Sequence, residues 1–166
     1  DSILYTYSEA LASGWVNGIY GFDGDGYVDI STLKSWNGYW IGMLSEDIQM
    51  IMPIHKAVTD TGSRRNDENG WEIAVEGFVD GARDVTTFFG VEEDGTEGFD
   101  PVHDVFKAPD PPGDSYVTMF FDHAEWNLIL GNRIAKDKRS PIEPEASKDW
   151  ELVVNSSEPF VTLKWY

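Results

Sequence analysis

The 166-residue chain carries 30 Asp and Glu against 12 Lys and Arg, a formal charge of −18 at pH 7. A charge of this sign repels phosphate backbones and anionic headgroups, which argues against nucleic-acid binding and against docking on acidic lipid. Apolar residues at 41% and aromatics at 14% supply enough material for a packed core, which argues against wholesale disorder despite the charge.

Cysteine is absent, leaving disulfides, zinc–thiolate sites and thiol catalysis without their residue. The longest apolar candidate, residues 48–54, is broken by Gln49 and Pro53. It falls far short of the roughly 20 apolar residues a membrane helix needs, so no membrane insertion is expected. The first residue is Asp1 and no signal-like segment follows it, which we read as a processed or excised piece of a longer protein.

Taken in chain order, residues 8–13 predict a short helix with Ser8 as its cap. Val16–Phe22, residues 27–30, Tyr39–Met43 and residues 48–54 read as short strands. Asn17-Gly18, Asp23-Gly24-Asp25-Gly26 and Asn37-Gly38 supply turn residues between them. Residues 59–69, TDTGSRRNDEN, are polar and read as a linker or long loop ending at the Asn69-Gly70 turn signal. Beyond it, Trp71-Glu72-Ile73-Ala74-Val75-Glu76 alternates apolar with acidic residues, and Trp150-Glu151-Leu152-Val153-Val154 repeats the pattern. Residues 116–121 and 160–165 are two more β-branched and aromatic strands, with a helical turn expected near residues 124–128. Short strands at regular spacing, with Gly, Asn and Pro between them, predict an all-β fold. The expected form is an antiparallel β-sandwich, jelly-roll or immunoglobulin-like. A small β unit over 1–58 would precede the sandwich over 70–166. The first unit is short for an independent core, so it packs on the second, as one continuous domain, or belongs to a larger one.

Two acidic runs have the composition of calcium loops, in which hard carboxylate oxygens alternate with glycine. One is Asp94, Glu97, Asp100 and Asp104; the second is Asp23, Asp25 and Asp29. The second also reads as a plain hairpin tip, and it lacks the helix-loop-helix ligand pattern, because Tyr27 and Lys34 occupy positions that need acids. A structural Ca2+ ion would relieve the repulsion in the first; a solvated loop is the alternative.

Catalytic signatures are missing. No Gly-x-Ser-x-Gly elbow, phosphate loop or His-Glu-x-x-His occurs. A glycosidase needs only two carboxylates, which 30 acids supply without singling out any pair. Among the aromatics, Trp71, Trp150 and Trp40 alternate with other apolar residues and read as core. Trp15, Trp36 and Trp126 lie beside turns or polar residues and, with Tyr20, Tyr27 and Tyr39, are candidates for an exposed platform on which sugar rings stack.

Gly14-Trp15, Ile19-Tyr20-Gly21-Phe22-Asp23-Gly24, Tyr27-Val28, Leu33 and Asn37-Gly38-Tyr39-Trp40-Ile41 together resemble a repeated β unit of bacterial surface and secreted proteins. Further on come Trp71-Glu72-Ile73, Phe89-Gly90-Val91, Asp94-Gly95, Gly98-Phe99-Asp100, Asp104, Trp150-Glu151-Leu152 and Val161-Thr162-Leu163-Lys164-Trp165. This series is similar to β-sandwich accessory modules near the C-terminus of long extracellular proteins of Bacteroidetes-like bacteria, often followed by an immunoglobulin-like or type IX sorting domain. The resemblance implies a bacterial extracellular or cell-surface location and neighbouring domains of a parent protein as partners. It transfers no catalytic residue.

The resulting expectation is a non-catalytic module that binds a polysaccharide or cell-surface glycan for a larger enzyme. Stacking would come from Trp36, Trp126, Tyr39, Trp15 and Tyr27. The alternative is a structural or adhesive spacer, or a protein-interaction module, without a small ligand; a hydrolase is the third reading.

Overall fold

The computed structural model describes residues 4–34, 37–51, 70–143 and 146–166. The chain enters through α1 (Tyr7–Ala12), which is capped by Thr6 and not by Ser8. Thr6 Oγ1 accepts the Glu9 backbone N–H at 3.2 Å, while Glu9 Oε2 accepts the Thr6 N–H at 2.7 Å. This reciprocal box satisfies two donors that a six-residue helix would otherwise leave bare.

Among the described residues the strands form two sheets, so the fold is all-β. The smaller sheet is antiparallel, with β1 (Val16–Phe22) between β2 (Tyr27–Asp29) and β3 (Tyr39–Met43). Asn17-Gly18, expected as a turn, lies inside β1. The register with β3 slips between Asn17 and Ile19, and Gly18 takes φ +49. A residue pair that tolerates positive φ has been used for a bulge, which swings the Asn17 side chain into the interior. Residues 48–51, expected to begin a strand, lie in no sheet, and Ile51 is exposed. Alternation stops at Met50-Ile51, where two apolar residues follow one another.

The larger sheet contains β4 (Trp71–Val79), β5 (Ala82–Val91), β6 (Val105–Phe106), β7 (Val117–Asp122), β8 (Arg133–Arg139), β9 (Leu152–Ser156) and β10 (Thr162–Trp165). Its order is β10-β4-β5-β8-β7-β9, with β6 also against β8. One pair departs from the antiparallel expectation: β5 and β8 run parallel, Phe88 opposite Lys136 and Val91 opposite Arg139. The connection between them is long enough to include β6 and β7, as a parallel pairing requires. The sheet curls into a half-barrel. Inside the curl Val75, Val117 and Met119 pack with Ile73, Leu152, Val154 and Val161. Gly77 is needed at this contact, because a Cβ there would sit 2.9 Å from the Met119 sulfur.

A second cluster, Phe106, Phe121 and Ile134, receives Trp40 and Leu44 from the smaller sheet. Hydrogen bonds tie the sheets together. Asn17 Nδ2 donates to Asp104 O and Phe106 N donates to Asn17 Oδ1, both at 2.7 Å. The Arg83 N–H donates to Asp25 O at 2.9 Å.

Candidate functional site

Among the described residues, the proposed platform aromatics each make contacts of their own. Trp126 lies flat on the His123 imidazole, ring centroids 3.6 Å apart and planes 3° from parallel, with Phe99 alongside. Trp15 meets Tyr5 edge-on at 4.8 Å, and Tyr27 packs among Tyr20 and Phe22. The Tyr39 hydroxyl is bonded to Lys34, accepting from its N–H at 2.6 Å and donating to its carbonyl. All four are half-buried, each in a different contact. Trp36 lies outside the described residues.

The carboxylates are likewise spoken for separately. Asp94 meets His103 Nε2 at 2.7 Å, and Glu97 binds Lys148 and Ser140. Asp104 is buried, accepting the N–H groups of Asp100 and Lys138 at 2.7 and 2.8 Å. Burial pushes its carboxyl up to about 7, with the charges of Asp137 and Asp100 adding, against the pull of those two N–H donors. Asp100 Oδ1 accepts the Val102 N–H. At the hairpin tip, Asp23 accepts the Asp25 and Gly26 N–H groups and pairs with Arg83. Among the described residues no three His, Asp or Glu side chains converge as a metal-holding group.

Two buried polar networks, neither expected from the sequence, stand out. In the first, His123 Nδ1 lies 2.8 Å from Glu125 and Nε2 lies 2.9 Å from Asp137, which is fully buried and also bonded by Arg139. Burial works against the imidazolium, but the hydrogen bonds to Asp137 and Glu125 overcome it and raise the His123 pKa. Burial also opposes the Asp137 charge, and its bonds from His123 and Arg139 hold that carboxyl below the ordinary range. Both ring nitrogens face carboxylates and Trp126 covers the ring, an arrangement that favours the imidazolium over the neutral ring.

The second network surrounds Lys107, whose Nζ is buried and donates to Asp84 Oδ2, Thr86 Oγ1 and Thr87 Oγ1 at 2.5, 2.9 and 3.1 Å. A register slip creates it. Val75 pairs with Thr87 but Gly77 with Asp84, so β5 carries one extra residue and turns two consecutive threonines inward.

The most exposed aromatic rings lie on and beside β10, which among the described residues is an edge strand of the larger sheet. All four of its residues are exposed, Trp165 at 70%, and the flanking Phe160 and Tyr166 at 87% and 71%. Trp165 lies opposite Val75 and so faces the same side of the sheet, at the lip of the half-barrel. Tyr166 exchanges backbone hydrogen bonds with Ala74, and its hydroxyl binds Glu76. Trp71, expected in the core, is 39% exposed beyond the end of this pairing. No protein-family model, curated protein or solved structure matches this chain. The residues on β10 were readable as a strand, but nothing in their pattern marks them as an edge.

Proposed function

We propose that this is a non-catalytic contact module of a bacterial surface or secreted protein, with the β10 edge as its contact element and a neighbouring protein surface as its partner. The observation that carries the reading is the concentration of exposed rings, Phe160, Trp165 and Tyr166, on and beside one edge strand. Large apolar rings gathered at a sheet edge gain from being covered, and the unpaired backbone groups of an edge offer directional hydrogen bonds to an added strand. The sandwich class expected from the sequence, with its two faces left for neighbours, belongs to the same reading. A binding role rather than catalysis is favoured by the open cleft between α1, β1 and β5, which is lined by Tyr7, Leu11, Tyr20 and Phe88 and, among the described residues, by one carboxylate, Asp29. Acid–base hydrolysis of a glycoside needs two facing acids.

A photo-crosslinking side chain at Thr162, in the parent protein on the producing cell, should give a discrete adduct that Trp165→Ala abolishes. Equal adducts from a control position such as Asp122, or none at all, would sink the proposal. A second reading, glycan binding, is favoured by the 70% exposure of the Trp165 indole, a flat face suited to sugar C–H stacking. On a glycan array it predicts retention that disappears in Trp165→Ala and persists in Trp126→Ala.

A further inference from the structure

We propose that Lys107 and Asp84 are joined by an intramolecular amide bond, formed by the folded chain itself, between Lys107 Nζ and Asp84 Cγ. The geometry is that of a held reactant pair. Nζ lies 2.5 Å from Asp84 Oδ2, and both side chains are almost entirely excluded from solvent. The ammonium and carboxylate come from positions 23 residues apart, β5 and the residue that follows β6, and are held by several partners. Thr86 N–H and Oγ1 donate to Oδ1 at 3.1 and 3.0 Å, and Met119 N–H donates to Oδ2 at 2.7 Å. Thr87 Oγ1 donates to Met119 O while accepting from Nζ. Holding two reactants in contact with fixed partners replaces a bimolecular encounter by a unimolecular step.

Each group the condensation needs has a place. Amine attack requires neutral Nζ, and water can leave only from a protonated carboxyl oxygen. Thr86 Oγ1 accepts from Nζ and donates to Oδ1, so its hydroxyl connects the proton's source to its destination. Burial pushes the Lys107 ammonium below its ordinary pKa, against the charge of Asp84, which eases that transfer. In a low-dielectric interior the neutral amine and acid also escape the cost of desolvating two charges. Nζ then adds to Cγ, and the charge that develops on Oδ2 meets the Met119 N–H. A second proton passes from nitrogen through Thr86 to Oδ1. The Cγ–Oδ1 bond breaks, and the carbonyl closes on Oδ2. One ammonium and one carboxylate become one amide and one water, with no oxidant, reductant or outside acid required. A small cleft lined by Tyr27, Pro111 and Thr118 borders both side chains and gives the water a way out.

Such a bond would cross-link β5 to the chain after β6 and lock the centre of the larger sheet, a fitting device in a chain without cysteine. The test is the intact mass of the denatured full chain, followed by peptide mapping. The expected result is a mass one water below that of the sequence, with a branched peptide carrying Asp84 and Lys107, and the full sequence mass restored in Lys107→Arg. A wild-type mass equal to that of the sequence would overturn the proposal. So would a water loss that persists in Lys107→Arg, or one in which the two peptides run separately, as a succinimide at an aspartate would give.

Discussion

Two strands of the larger sheet share almost one sequence pattern and have opposite fates. β7 begins Val117-Thr118-Met119-Phe120, and Val161-Thr162-Leu163-Lys164-Trp165 runs through β10. In β7 the first five residues are buried, with β8 on one side and β9 on the other. In β10 every residue is exposed, and β4 is its one strand neighbour among the described residues. Strand propensity belongs to the local residues, whereas burial belongs to the place a strand takes in the sheet. The difference separates a part of the molecule that holds the fold from one available for contact.

The largest effect expected is at Met119, which packs inside the half-barrel with Val75 and Val117. Met119→Ala should cost about 2–5 kcal/mol in chemical denaturation. Trp165→Ala, on the matching strand, should stay within about 0.5 kcal/mol, as surface substitutions do. Similar losses for the two variants would break the contrast between centre and edge.

pH sharpens it further, because His123, Asp104 and Asp137 titrate on or against β7 and β8. His123 has a raised pKa in the fold, so its stabilisation is complete below the unfolded imidazole value and is lost as pH rises through the folded one. Asp104, raised to about 7, keeps its proton longer in the fold than in the unfolded chain, so it too makes stability fall as pH rises toward neutrality. Asp137 and Glu72 are depressed, so their contributions are lost only as pH falls through the acid range. The melting temperature should therefore be higher near about pH 6 than near about pH 8.5. A flat or rising profile across that interval would contradict the assignment of His123 as a buried cation.

The smallest effect concerns the acidic loop. Asp94, Glu97, Asp100 and Asp104 each hold protein partners of their own, so millimolar calcium against chelator should leave the melting temperature unchanged. A clear rise would return a structural ion to residues 92–104 and make that loop a second rigid region.

Much of the β pattern was legible because two-residue alternation is a local property: residues 16–22, 39–43, 71–76 and 116–121 fall in or along strands. β5 was missed although Asp80-Gly81, with Gly81 at φ +75, is the short turn that follows β4. β8 was missed for a physical reason. Arg133-Ile134-Ala135-Lys136-Asp137-Lys138-Arg139 looks like a solvated charged run, yet Asp137 and Lys138 are buried. Their partners, His123 for Asp137 and Glu72 with Glu92 for Lys138, come from segments brought together by folding. The four described aromatic candidates, Trp15, Tyr27, Tyr39 and Trp126, are each half-buried, because composition identifies rings but not which of them a neighbour covers.

The sequence by itself determined an acidic, cysteine-free, β-rich chain and most of its strand-forming segments, since charge and alternation are read residue by residue. The tertiary structure alone decided the parallel β5–β8 pairing, the exposed β10 lip and the Lys107–Asp84 contact. Each of these depends on which distant segments meet, and the desolvation that gives buried charges their chemistry arises only when they do.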